Sequence, residues 1–158
     1  MILAGCELKG RTGHEAGRQL LEQLYRQQTG LGLPDIAVTD RGKPYFPGSG
    51  WHFSITQTCR HAICVLSSRP VGIDAEELDR KVSLALAEKV LSPTEKAQFD
   101  AAPDKVRALL TFWVLKEAAV KCTGQGLCGY PNHTAFSLDD PRVTQQNGCL
   151  VAVIEADS

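Results

Sequence analysis

Val71-Gly72-Ile73-Asp74-Ala75-Glu76 alternates apolar and acidic side chains in the manner of a half-buried strand. An extended chain sends successive side chains to opposite faces, so Asp74 and Glu76 share one face while Ile73 and Ala75 pack on the other. Upstream, Trp51 to Thr56 and His61 to Leu66 read as two further strands, separated from the acidic one by the turn residues Ser67-Ser68-Arg69-Pro70. Downstream the period changes. Val82 to Leu91 has a helical repeat, and Ser92-Pro93-Thr94-Glu95 is a capping-box signature that starts a short second helix.

Pro103 or Asp104 starts a long helix that runs to about Cys122 and stops at Thr123-Gly124. Val143 to Ile154 then forms a hairpin turning at Asn147-Gly148. At the other end, the first eight residues form a strand. Thr12 or Gly13 starts a helix through Gln28 that carries Ala16, Leu20, Leu21 and Leu24 on one side. Ile36 to Val38 is a short strand before the turn Asp40-Arg41-Gly42-Lys43-Pro44, and Pro47 to Gly50 is a surface loop. Each half runs strand, helical material, strands. The expected fold class is α+β: two small lobes, 1–70 and 71–158, each with helical material on a mostly antiparallel sheet, sharing one core in one compact unit.

The 158 residues carry a formal net charge of -1, which excludes a surface tuned as a whole to nucleic acid. Any anion site must be local. No stretch approaches the roughly 20 apolar residues of a membrane span, and no basic leader precedes an apolar run at Met1 to Glu7, so a cytoplasmic protein is expected. Cys6, Cys59, Cys64, Cys122, Cys128 and Cys149 form no CxxC pair and read as buried, reduced thiols rather than a zinc site or disulfides. His14, His52, His61 and His133 show no metal-ligand spacing.

Two features interrupt the hydrophobic pattern, and both involve carboxylates. Asp74 and Glu76 side by side repel unless a cation or an arginine sits between them, one takes a proton, or both simply face water. On the long helix, at roughly 100° per residue, Val106, Leu109, Leu110, Trp113, Glu117 and Val120 fall on one side, so Glu117 breaks an apolar stripe. Lys116 and Lys121 flank that stripe and could hold anions while Glu117 points to a metal. Alternatively, Glu117 is a marginal residue paired with Lys121 at i,i+4.

Gly42-Lys43-Pro44, Phe53-Ser54-Ile55-Thr56, Val71 to Glu76, and Phe112-Trp113-Val114-Leu115-Lys116-Glu117-Ala118-Ala119-Val120-Lys121 ending in Gly124-Gln125-Gly126 together resemble the 4'-phosphopantetheinyl transferase superfamily, over about residues 40 to 140. The hallmark is a G-[IV]-D-x-E strand joined to a W-x-x-K-E-x-x-x-K helix. The Gly-Lys-Pro segment resembles the longer, pseudo-two-fold, monomeric branch. The resemblance implies a Mg2+-dependent enzyme that moves the phosphopantetheine arm of coenzyme A onto a serine of an apo acyl or peptidyl carrier protein, releasing 3',5'-adenosine bisphosphate.

It implies Asp74, Glu76 and Glu117 as metal ligands, Lys116 and Lys121 on the coenzyme A phosphates, and Lys43 with Pro44 beside the adenine. Glu117 or a metal-bound water would take the serine proton, with Lys121 offsetting charge on the diphosphate. Arg18 and Arg41 are further candidates for the 3'-phosphate, and Arg80 and Lys81 for phosphate generally. One departure stands out. The family reads F-N-x-S-H where this chain has Phe53-Ser54-Ile55-Thr56-Gln57, so an uncharged Gln57 replaces a histidine expected on the 3'-phosphate.

Two other functions compete. A degenerate binding module for coenzyme A or carrier protein is favoured only by the altered Phe53 to Gln57 stretch. A Mg2+-dependent nuclease or nucleotide hydrolase also clusters carboxylates, but it does not predict lysines on both sides of the Trp113 helix. No GxxxxGK[ST] loop is present.

Overall fold

The computed structural model describes residues 1–124 and 135–157. Gln125, Gly126, Cys128 and His133, named above, lie outside the described residues. The elements run β1 (Ile2–Glu7), α1 (Gly13–Thr29), β2 (Ala37–Val38), β3 (Pro44–Tyr45), β4 (His52–Gln57), β5 (His61–Ser67) and β6 (Val71–Glu77). A 3-10 turn at Leu84–Leu86 follows, then α2 (Ala87–Val90), α3 (Pro93–Ala101), α4 (Lys105–Thr123), β7 (Val143–Gln146) and β8 (Cys149–Glu155). The α+β class is therefore observed.

Among the described residues all strand pairing is antiparallel. One sheet has the order β1-β5-β4, a second β6-β8-β7, and β2 with β3 makes a separate ribbon. Helix α1 covers the first sheet through Ala16, Leu20, Leu21 and Leu24, which pack with Phe46, Phe53, Ala62 and Leu66. Its ends follow from the sequence. The Thr12 hydroxyl accepts from the Glu15 amide, and Gly30 closes the helix at φ 74°.

Helix α4 packs against β6 and β8, and Leu109, Phe112, Leu115 and Ala118 fill the core shared with α2, α3 and Ile154. The approach of β6 to α4 is too close for any residue but glycine at position 72. A Cβ there would lie 2.0 Å from the Ala118 carbonyl oxygen and 2.4 Å from the Cys122 nitrogen. Gly72 thereby brings Asp74 in beneath the last turns of α4.

The two three-stranded sheets meet where β4 runs beside β6, and they meet without a backbone ladder. Instead the Ser54 hydroxyl accepts from the Ile73 amide at 3.1 Å and the Thr56 hydroxyl accepts from the Ala75 amide at 3.3 Å. Ile63 and Val65 of β5 pack with Val71, Ile73, Ala75 and Val151 behind this seam, so one apolar layer spans both sheets.

The sequence places the elements well, with two differences. The turn assigned to Asp40–Pro44 continues into β3, which the two residues Pro44–Tyr45 are too short to announce. The stripe Val106, Leu109, Leu110, Trp113, Glu117, Val120 is not the inward face of α4 as expected: Trp113, Glu117 and Val120 are only half-buried, whereas 108–112, 114–116, 118 and 122 are buried. A helix enclosed by a sheet on one side and by α2, α3 and 136–138 on others has no single inward stripe for a 3.6-residue period to mark.

Candidate functional site at the seam between the sheets

Asp74 is the centre of the site. It is 8% exposed, and its Oδ1 accepts from the Thr56 hydroxyl and from Lys121 Nζ, each at 3.3 Å. Its Oδ2 is buried with no hydrogen-bond partner. Burial pushes the Asp74 carboxyl up to about 7, with Lys121 opposing the shift and Glu117 and Glu76 adding to it. Glu117, half-buried on α4, is likewise raised, by burial and then by Glu76, against the pull of Lys121. Three carboxylates from one strand and one helix therefore lie close enough to act on one another.

Lys121 ties the seam together. Its ammonium donates to the Ile73 carbonyl at 3.0 Å and to the Ile55 carbonyl at 3.5 Å, besides Asp74. It thus satisfies acceptors on both facing strands. Glu76 sits at the outer edge of the group and accepts from Arg80 Nη1 at 2.5 Å. Arg80 is therefore held on a carboxylate of the site.

Beside the acids lies a cleft of about 210 Å³ lined by Arg41, Lys43, Pro44, Ser54, Ile55, Val120 and Lys121, among others. Lys43 reaches across it and donates to the Cys122 carbonyl at 2.8 Å, near the C-terminal end of α4. Its burial lowers the ammonium pKa, with the Cys122 thiol opposing that shift. Lys43, Pro44, Arg41 and Lys121 are thus brought to one surface. Arg18 is on α1 and does not line this cleft.

Lys116 departs most from its expected place. It is 2% exposed, and its ammonium lies 2.7 Å from Glu95 Oε1 in a pair closed to solvent. Glu95 is also the capping-box residue: Oε1 accepts from the Ser92 amide and Oε2 from the Phe136 amide, both at 2.8 Å. One carboxylate therefore joins the start of α3, the middle of α4 and the segment before β7. The sequence showed the capping half of this arrangement and hid the other, because Lys116 and Glu95 are neighbours only in space.

Gln57 ends β4 with its side chain laid over Gly13, where a Cβ would fall 1.4 Å from Gln57 Oε1. The contact joins the edge of the first sheet to the start of α1. The joining role of the Ser54 and Thr56 hydroxyls is not evident from the sequence. Their only signal was two short hydroxylated residues, spaced two apart, just ahead of the acidic strand.

A family model described as the 4'-phosphopantetheinyl transferase superfamily matches residues 70–152, the span that holds β6, α4 and the acidic group. The chain belongs to this superfamily. A 4'-phosphopantetheinyl transferase of Bacillus subtilis is 34% identical over 116 residues, covering 70% of this chain and 51% of that protein. 4'-Phosphopantetheinyl transferase Sfp of Bacillus subtilis strain 168 is 33% identical over 117 residues, with the same two coverages. 4'-Phosphopantetheinyl transferase HetI of a Nostoc species is 31% identical over 122 residues, covering 71% of this chain and 52% of its own. The chain spans about half the length of the curated relatives it matches. Among the described residues no helix is long and apolar enough to cross a membrane.

Proposed function

We propose that this superfamily member transfers the phosphopantetheine arm of coenzyme A to a serine hydroxyl of an apo carrier protein in a Mg2+-dependent reaction. The supporting observation is Asp74: a buried carboxylate with one oxygen unpartnered, beside two more acids and a basic cleft. A buried acid of this kind is costly to keep without an external cation. The donor set is all oxygen, which suits a hard cation, and Lys121 already occupies one side of Asp74 as a positive charge.

Asp74, Glu76 and Glu117 would hold the metal, with Arg80 yielding Glu76. The ion, when bound, would polarise a phosphoryl oxygen and neutralise charge between the diphosphate and the acids. Lys121 would place a second positive charge at the mouth of the cleft, where negative charge builds on the leaving diphosphate. Lys43, Pro44 and Arg41 would receive the nucleotide end. Glu117, less buried than Asp74 and with a raised pKa, is suited to accept the serine proton. In this reading the chain acts as a monomer in the cytoplasm, with lobes 1–70 and 71–158 on either side of the β4–β6 seam.

Purified protein incubated with coenzyme A, Mg2+ and apo carrier proteins of fatty-acid, polyketide and peptide type should add one phosphopantetheine arm to at least one carrier, read by intact mass. Chelator should stop the addition. Coenzyme A binding without transfer to any carrier would instead make the chain a binding module, the reading that the uncharged Gln57 favours.

A further inference from the structure

We propose that His61, Glu77 and Cys149 form a second cation site, for a thiophilic divalent ion of the Zn2+ class, separate from the acids at the seam and independent of the transferase reading. The three residues come from the start of β5, the end of β6 and the start of β8, so they belong to both sheets. Their ligand atoms all lie within 4.8 Å of one another. Cys149 Sγ is 3.6 Å from His61 Nδ1 and 3.1 Å from Glu77 Oε2, and His61 Nδ1 is 2.8 Å from Glu77 Oε1.

Ligand bonds of ~2.0–2.1 Å for nitrogen and oxygen and ~2.3 Å for sulfur imply tetrahedral edges of about 3.3–3.7 Å. The Cys149–His61 distance already fits. Cys149 Sγ and Glu77 Oε2 must open by about half an ångström, and His61 Nδ1 must turn from Glu77 Oε1 toward the ion.

The two oxygens of Glu77 have separate partners. Oε1 accepts from Thr58 Oγ1 at 3.0 Å, from Arg60 Nε at 3.3 Å and from His61, while among the described residues Oε2 is bonded only by the Cys149 thiol. Oε2 is therefore the oxygen free to ligate, with Thr58 and Arg60 orienting the carboxylate from behind, as partners behind metal ligands commonly do. Loading would release the Cys149 thiol proton to solvent and put the His61 proton on Nε2. One thiolate and one carboxylate then balance a divalent charge around a neutral imidazole. The thiolate selects against Mg2+. The side chains of Glu77 and His61 are 5% and 13% exposed, which leaves the imidazole side as the route for a fourth, solvent ligand.

The test is a Co2+ titration of chelator-stripped full-length protein, read by thiolate-to-cobalt charge-transfer absorption. The wild type should develop the band and saturate at one equivalent, excess Mg2+ should leave it unchanged, and Zn2+ should erase it and raise the melting temperature by several degrees. Cys149→Ser should lose the band. Cys6→Ser should keep it, since Cys6 packs with the layer under α1. Should Cys149→Ser fail to fold, His61→Gln must weaken Co2+ binding at least tenfold. Absence of the band in the wild type, its survival in Cys149→Ser, its displacement by Mg2+, or unchanged affinity in His61→Gln would each overturn the proposal.

Discussion

Asp74 and Glu77 lie on the same strand, three residues apart, on opposite faces, and both are buried, yet the protein treats them in opposite ways. Asp74 has one unpartnered oxygen and is pushed up to about 7, first by burial. Glu77 meets the same penalty from burial, but donors from Arg60, Cys149, His61 and Thr58 outweigh it and hold the carboxyl down at about 2. Burial alone does not decide a carboxylate's state; the supply of donors does. Glu95 is a third acid of the satisfied kind, fully buried and bonded through both oxygens.

The largest expected effect comes from the acids at the seam. Glu117→Ala should lower phosphopantetheine transfer by roughly 10²–10³-fold or more, as loss of a group stabilising transition-state charge does, with the circular dichroism spectrum unchanged. Full activity in that variant would remove Glu117 from the site. For the satisfied acids the loss should appear in stability. Lys116→Met leaves Glu95 buried and without its cation, and should cost about 3–5 kcal/mol in denaturant unfolding. A variant of unchanged stability with weakened coenzyme A binding would restore Lys116 to the phosphate role.

Glu77→Ala, which removes the acceptor for four donors, should cost about 2–3 kcal/mol in chelator, measured the same way. The smallest effect is one of sign. In metal-free protein between about pH 4 and pH 7, folded Asp74 keeps a proton that the unfolded chain releases, so stability falls as pH rises across that window. Asp74→Asn should flatten that slope and add on the order of 1–2 kcal/mol at pH 8 while losing transfer. Glu77 contributes in the opposite sense. Its stabilisation is complete above the ordinary glutamate value and is lost as pH falls toward about 2. Melting temperatures of wild type, Asp74→Asn and Glu77→Gln from pH 3 to pH 8 separate the two.

The strands and helices were legible because their signals are local: alternation in Val71 to Glu76, a capping box at Ser92, glycine stops at Gly30 and Gly124. The acids of the site were legible for a related reason. Charge in an apolar context is visible one residue at a time, and Asp74, Glu76 and Glu117 each break a short pattern. Satisfaction was not legible. Nothing near Lys116 in the chain announces Glu95, and nothing near Cys149 announces His61 or Glu77, because those partners meet only when strands from both sheets come into register. The inward side of α4 was hidden too, since a helix packed on several sides has no single period.

The two hydroxyls that bridge β4 and β6 also bear on how the molecule opens. A ladder of main-chain bonds breaks cooperatively, but a serine or threonine rotor can let go of one amide while its neighbours stay paired. The Ile73 and Ala75 amides therefore have an exit that the β6–β8 ladder lacks. In hydrogen–deuterium exchange they should form an early-exchanging row through the middle of an otherwise slow interior, a crack along which the protein can breathe without unfolding.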